Sequence, residues 1–305
     1  MKFLLPLLLL LSGCDAGAGG PEACALVRET VIPMTFMGNL PTVAVLVNGD
    51  PVQLILDTGA SHTVITAAAF KRLGLASDST LRGFATAVGG SGATPVGMVS
   101  KLELGEVSRR SLNIFVVDMP AMGGGKIDGL LGNDILSEFD LDLDFRADRV
   151  TLYRQRRCPQ GRPDWSEPYE ALARPAQGRA LPATMISLAV DGVQQNAVVD
   201  TGATRTAMDR SRALASGATT EGLAIDRQGS MQGATLKATS AGLHQFTKMQ
   251  VGSETIRTPK IAVTAKEGQL GNSYFGMLLG LDYLRKRRVW IAYEEHMVYV
   301  SRPTP

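Results

Sequence analysis

The sequence predicts a mostly-β protein of two homologous lobes that face each other across a pseudo-twofold axis, with a cleft between them. Three observations carry this. The tripeptide Asp-Thr-Gly occurs twice, at Asp57-Thr58-Gly59 and Asp200-Thr201-Gly202, each after an apolar run, Leu54-Ile55-Leu56 and Ala197-Val198-Val199. Other signals recur in step with these motifs, giving an internal duplication of about 120 residues, too long a period for a solenoid. Finally, 33 glycines in 305 residues, with few long helical periodicities, favour short strands and turns. A chain of this length supports two compact domains, each with its own core.

The N-terminus reads as an export and anchoring segment. Met1-Lys2 is a short basic start, and Phe3 to Leu11 is an apolar stretch of nine. That is about half of the ~20 residues needed to cross a bilayer, so residues 1–13 read as a signal peptide. Leu11-Ser12-Gly13-Cys14 resembles a bacterial lipobox, in which the cysteine is lipidated and becomes the mature N-terminus. An ordinary signal peptide with an incidental cysteine is the competing reading. Small residues before Cys14 and the flexible run Asp15-Ala16-Gly17-Ala18-Gly19-Gly20 after it favour the lipobox. Residues 14–29 are then a lipidated cysteine and tether, and several acyl chains hold a domain at a membrane far better than one. Asp15 resembles the inner-membrane retention signal of such lipoproteins, which gives the periplasmic side of the inner membrane as the expected location and the outer membrane as the alternative.

The first lobe is expected over 30–156. Asn48-Gly49 is a hairpin signal nine residues before Asp57, feeding a short buried strand. Thr66 to Leu73 is a short helix with an N-cap residue at its start and Gly74 at its stop. Ala87-Val88-Gly89-Gly90-Ser91-Gly92-Ala93-Thr94 reads as a glycine-rich hairpin tip, either a mobile surface turn or a flap. Gly129-Leu130-Leu131-Gly132-Asn133-Asp134-Ile135-Leu136 opens another short helix, and Leu141–Tyr153 is a closing strand pair.

Residues 157–180 are rich in Pro, Gly and Arg and read as an interlobe linker. Cys24 and Cys158 bracket the first lobe. In an oxidising compartment the pair reads as a disulfide, with two free thiols as the alternative.

The second lobe, 181–302, repeats this order. Asp191-Gly192 lies nine residues before Asp200, and Asp209 to Ser216 is a helix stopped by Gly217, 143 positions after its counterpart. Gly229-Ser230-Met231-Gln232-Gly233-Ala234-Thr235 occupies the flap position. Gly276-Met277-Leu278-Leu279-Gly280-Leu281-Asp282 follows, and Val289–Val300 closes the lobe with the register moved to 148 (Phe145 with Tyr293). About five extra residues therefore lie between the motifs of the second copy.

Each half resembles a subunit of a retropepsin-like aspartic protease: Asp-Thr-Gly-Ala, a glycine-rich flap, then a Leu-Leu-Gly turn into a short helix. The resemblance covers about residues 30 to 302 and describes a fused, single-chain, two-lobed version, with a β-barrel expected for each lobe. It implies peptide-bond hydrolysis by Asp57 and Asp200. Two like charges this close cannot both ionise cheaply, so they share one proton. The ionised carboxylate acts as general base on a water while the protonated one polarises the scissile carbonyl. Gly59 and Gly202 admit close backbone approach, Thr58 and Thr201 bond across the interface, and Ser61 and Thr204 offer hydroxyls to the outer carboxylate oxygens. Val88, Gly89, Gly90, Ser91 and Gly92, with Ser230, Met231, Gln232 and Gly233, are the expected flap contacts. Ala60 and Ala203 stand where pepsin-type enzymes carry a hydroxyl donor, which raises the expected pH range of the shared proton.

The expected partners are a protein or peptide substrate and, through the lipid, a membrane. No cofactor or metal is called for, since none of the three histidines has a ligand spacing. A net charge of +2 gives no broad footprint for nucleic acid, and the clusters Arg154-Arg156-Arg157 and Arg285-Lys286-Arg287-Arg288 read as solvated loop charge. With both half-sites on one chain, a monomer is expected. A peptide-binding lipoprotein that has lost catalysis would use the same groove, though retention of both aspartates weighs against it.

Overall fold

A computed structural model of the chain describes residues 25–87, 90–119, 123–156, 162–173, 175, 184–233, 238–270 and 276–303. Cys14, Cys24, Val88, Gly89 and Cys158 lie outside these residues.

The described chain is mostly strand, arranged in two sheets of thirteen and nine strands. The duplication extends to turn geometry. Asn48 and Gly49 both take positive φ (53° and 93°), and Asp191 and Gly192 do the same (47° and 86°). This is the turn that matches strand twist in a two-residue hairpin, and Asn, Asp and Gly tolerate it best. Each turn is also tied to the same neighbour. The Lys101 N–H donates to Asn48 Oδ1 at 3.0 Å, and the Lys248 N–H to Asp191 Oδ1 at 2.7 Å. The predicted helices form as Ala67–Arg72 and Arg210–Ala215, capped by Thr66 and Asp209 side chains. A further helix, Thr220–Ile225, lies between Gly217 and the second flap, where the first copy passes directly into strand Ser77–Ala87.

Barrel closure differs from the expectation. In the first lobe the ladder Leu40–Val47, Asp50–Leu56, Gly129–Leu131, Val64–Thr66, Val107–Val117, Gly90–Leu104 returns to its start through only two residue pairs, Leu46↔Glu103 and Val47↔Leu102. In the second lobe the corresponding long strand is broken into Ala238–Gln245 and Lys248–Val251, and the lobe is not cleanly closed.

The closing strand pairs do not stay within their own lobes. Asp140–Asp144 pairs antiparallel with Arg288–Ala292, so the thirteen-stranded sheet runs from one lobe into the other. Asp142 is buried there and accepts from Arg288 Nε at 2.8 Å and Nη2 at 2.6 Å, one on each carboxylate oxygen. Arg287 is also buried. It donates to the Tyr283 carbonyl at 2.6 Å, lies over the Tyr283 ring and pairs with Glu254. These two arginines are therefore structural braces, not solvated loop charge. An apolar sheet interior admits charge only when it is paired.

Two element boundaries also move. Strand Ala25–Met37 begins inside the stretch read as tether, because its first residues pair with the end of the first lobe, Ala25 opposite Arg156. The stretch read as linker contains strand Tyr169–Ala173, which pairs with Met297–Ser301 and forms the edge of the joined sheet.

Candidate active site

Each Asp-Thr-Gly turn emerges from a buried parallel strand pair. Leu56 lies beside Leu131 and Val199 beside Leu279. The next N–H in each case holds the same ladder: Asp57 donates to Leu131 O at 3.1 Å, and Asp200 to Leu279 O at 3.0 Å. Parallel strands covered on both faces are apolar, as these are, so the aspartate is the first polar group to leave the core.

The two turns interlock. An added Cβ on Gly59 would lie 2.5 Å from Asp200 Cγ, and one on Gly202 2.5 Å from Asp57 Cγ. Each glycine thus sits against the carboxyl of the opposite lobe, an approach closed to any other residue. The threonines make the expected cross-lobe exchange. Thr58 N–H donates to Thr201 Oγ1 at 3.0 Å, and Thr201 N–H to Thr58 Oγ1 at 3.2 Å. Each hydroxyl donates to a carbonyl of the other lobe, Thr58 Oγ1 to Val199 O at 2.6 Å and Thr201 Oγ1 to Leu56 O at 2.5 Å. Both side chains are fully buried, so every polar atom must be paired.

The carboxylates take their hydrogen bonds from the backbone. Asp57 Oδ1 accepts from the Gly59 and Ala60 N–H groups, both at 2.9 Å. Asp200 Oδ1 accepts from Gly202 at 2.8 Å and Ala203 at 3.0 Å. Ser61 and Thr204, expected to bond the outer oxygens, donate to neither carboxyl; the tight turn delivers main-chain donors first. Burial raises both aspartates above the usual carboxyl range, opposed by these N–H bonds. The charge of Asp57 adds to the effect of burial on Asp200, and a bond between the two carboxyls couples them. This is the signature of two carboxyls sharing one proton.

A second layer holds the turns from behind, formed by residues whose role is not evident from either motif alone. Thr63 donates its N–H and hydroxyl to Asp134 Oδ1 at 2.8 and 2.7 Å, and Thr206 does the same to Asp282 at 2.8 and 2.7 Å. Their recurrence in both copies was the available signal. Asn133 has no such twin. Its Nδ2 donates to Thr58 O at 2.8 Å and Ala60 O at 2.9 Å, and its Oδ1 accepts from the Tyr293 hydroxyl at 2.5 Å.

The flap residues fall differently from the expectation. The first hairpin pairs Ala87 with Gly90, so Gly90, Ser91 and Gly92 belong to the returning strand Gly90–Leu104. The second pairs Gln232 with Ala238, so Ser230, Met231 and Gln232 lie on the outgoing strand Arg227–Gln232, and Gly233 follows its end. The cause is register: glycine clusters mark a hairpin but do not say which residues form its tip. Met231 packs with Ala203 against Met185, Val198, Ala207, Ala262, Leu270 and Leu278, an apolar cluster beside the second Asp-Thr-Gly turn. Ala60 and Phe115 join a corresponding cluster beside the first.

Among the described residues no three His, Cys, Asp or Glu side chains are grouped to hold a metal ion. No helix among them is long and apolar enough to cross a membrane.

A sequence profile of the aspartyl protease family matches residues 43–135 and again 186–283. The chain belongs to the aspartyl protease family. The two matched stretches each hold one Asp-Thr-Gly turn and one Leu-Leu-Gly segment, so a single chain carries the family's repeated unit twice. Among curated proteins, an "Uncharacterized protein in cobV 5'region" from Sinorhizobium sp is 30% identical over 128 residues, 41% of this chain and 52% of that protein. The chain thus matches about half the length of that relative.

Proposed function

We propose that this chain is an aspartic endopeptidase held by an N-terminal lipid on the periplasmic side of a bacterial membrane, the inner membrane by the Asp15 reading. The observation that carries the catalytic part is the interlocked pair Asp57 and Asp200, each against the other lobe's glycine and each raised by burial. A water between the carboxyls loses its proton to the ionised one, and its oxygen bonds to the scissile carbonyl carbon. The protonated carboxyl gives its proton to the carbonyl oxygen. In the second step the newly protonated carboxyl gives its proton to the amide nitrogen while the other carboxylate takes one back from a hydroxyl of the tetrahedral diol; the C–N bond breaks as the C=O re-forms, and the dyad is left with its single shared proton. The apolar clusters beside both turns support an extended peptide with apolar side chains near the scissile bond.

The test is hydrolysis of an internal peptide library by the detergent-solubilised protein, with sedimentation to establish that the active species is a monomer. Cleavage that disappears in Asp57→Asn is the expected result. Retention of peptide without cleavage would instead mark an inactive peptide-binding lipoprotein. For the anchor, lipid labelling that is lost in Cys14→Ser, with release from the membrane fraction, is expected; an unlabelled, freely soluble wild type would overturn it.

A further inference from the structure

Hydrogen-bond donors reach the two aspartates by unequal routes. Tyr293 OH donates to Asn133 Oδ1, and Asn133 Nδ2 donates to the carbonyl of Thr58. That carbonyl belongs to the same peptide group as the Gly59 N–H, which donates to Asp57 Oδ1. The amide orientation of Asn133 is settled by chemistry, since both carbonyl partners only accept. The chain therefore runs in one direction, from a hydroxyl of the second lobe to a carboxylate of the first. Each bond polarises the next, and the last N–H becomes a stronger donor to an anion. Asn133 is fully buried and Tyr293 nearly so, which keeps water from competing.

The symmetry-related positions hold Leu281 and Phe145, both buried in the main apolar core. Leu281 keeps only the backbone part of the arrangement, its N–H donating to Ala203 O at 2.9 Å as Asn133 N–H does to Ala60 O. Among the described residues no side chain donates to the Thr201 carbonyl, so the Gly202 N–H reaches Asp200 without a relay.

We propose that Asn133 and Tyr293 form a one-sided positioning brace that makes Asp57 the ionised member of the pair and leaves the shared proton on Asp200. In the peptidase reading, on which this inference rests, Asp57 is then the general base and Asp200 the acid. The only charged group facing either carboxyl among the described residues is the other carboxyl. Burial raises both carboxyls, and the relay through Asn133 reaches only Asp57.

The test is an NMR pH titration of the aspartate carboxyl carbons in the detergent-solubilised full chain, assigned with Asp57→Asn and Asp200→Asn. Asp57 is expected to ionise at lower pH than Asp200. Tyr293→Phe, which removes one hydroxyl and no volume, moves the Asp57 transition up by about half a pH unit. Asn133→Leu, which installs the second lobe's residue, moves it further. In the same variants kcat falls about threefold or more with KM unchanged, and the acid limb of kcat/KM rises with the Asp57 transition. A merely structural role would lower Tm and leave the separation of the two transitions intact. Unchanged titration in folded Tyr293→Phe, or Asp200 ionising first in the wild type, overturns the brace. Absence of any peptide hydrolysis by the wild type overturns the peptidase reading alone, because the titration needs no turnover.

Discussion

The two lobes agree in the turns, caps and clamps that set the aspartates, and differ in single side chains and in one divided strand. Both use a positive-φ hairpin before the aspartate, a short capped helix after it, and a threonine–aspartate clamp behind the turn. They differ at Asn133 against Leu281, Tyr293 against Phe145, and the unbroken strand Gly90–Leu104 against its divided counterpart. A dimer of identical chains would carry every such change twice. Fusion lets one half change alone, and the pair of carboxyls can then be given unequal roles without disturbing the geometry that both halves enforce.

The strongest way to break the comparison is to remove one carboxyl. In the proposed mechanism the two carboxyls act as one unit, so Asp57→Asn and Asp200→Asn should each lower hydrolysis by about 10³-fold or more. Stability should move the other way. Burial raises both groups, so the folded protein keeps protons that the unfolded chain releases as pH climbs past the ordinary carboxyl value. The folded state therefore loses stability as pH rises through that window, and the loss is absent at lower pH, where both states are protonated. Asp200→Asn should raise Tm by roughly a few degrees at pH 7 and leave it nearly unchanged near pH 3; an equal change at both pH values would contradict the raised carboxyls.

Next in size is the activity profile. Apart from each other, the carboxyls have only main-chain donors and both are raised, so kcat/KM should peak in a mildly acidic to near-neutral window. A maximum near pH 2–3, with little activity at pH 6, would show that other donors stabilise the anion.

Thr58→Val and Thr201→Val sharpen the symmetric side. Each deletes a buried donor and strands a carbonyl in the opposite lobe, at a cost of about 1–3 kcal/mol. The two variants should lose equal stability in urea; a marked inequality would mean that one lobe holds the interface. The smallest effect is expected at the hairpins. Gly49→Ala and Gly192→Ala place a Cβ at positive φ but meet no neighbouring atom, so each should cost only about 1 kcal/mol, and again equally.

Much of this was legible in the sequence because it is written by local rules and written twice. Turn chemistry placed Asn48-Gly49 and Asp191-Gly192, capping placed the helices at Thr66 and Asp209, and the paired tripeptides placed the dyad. Pairings between distant segments left weaker traces. Nothing near Asp142 names Arg288 as its partner, and strand Tyr169–Ala173 has no turn signal to separate it from the Pro-rich stretch around it. The Asn133–Tyr293 contact was within reach. The matched register had already set Tyr293 against Phe145, and asking what stands opposite Asn133 would have shown polar residues at one pair of positions and apolar residues at the other.

The joined sheet bears on synthesis of the chain. When the ribosome has made strand Asp140–Asp144, its partner Arg288–Ala292 is still about ten to thirty seconds away at ordinary elongation rates. During that interval the first half carries a bare strand edge, the kind of surface that recruits other chains. Three of the five residues on it are aspartates, Asp140, Asp142 and Asp144. Charge at an unfinished edge repels another copy of the same segment, and Arg288 neutralises Asp142 only when the right strand arrives. The residues that close the finished protein thus also guard the nascent one against aggregation.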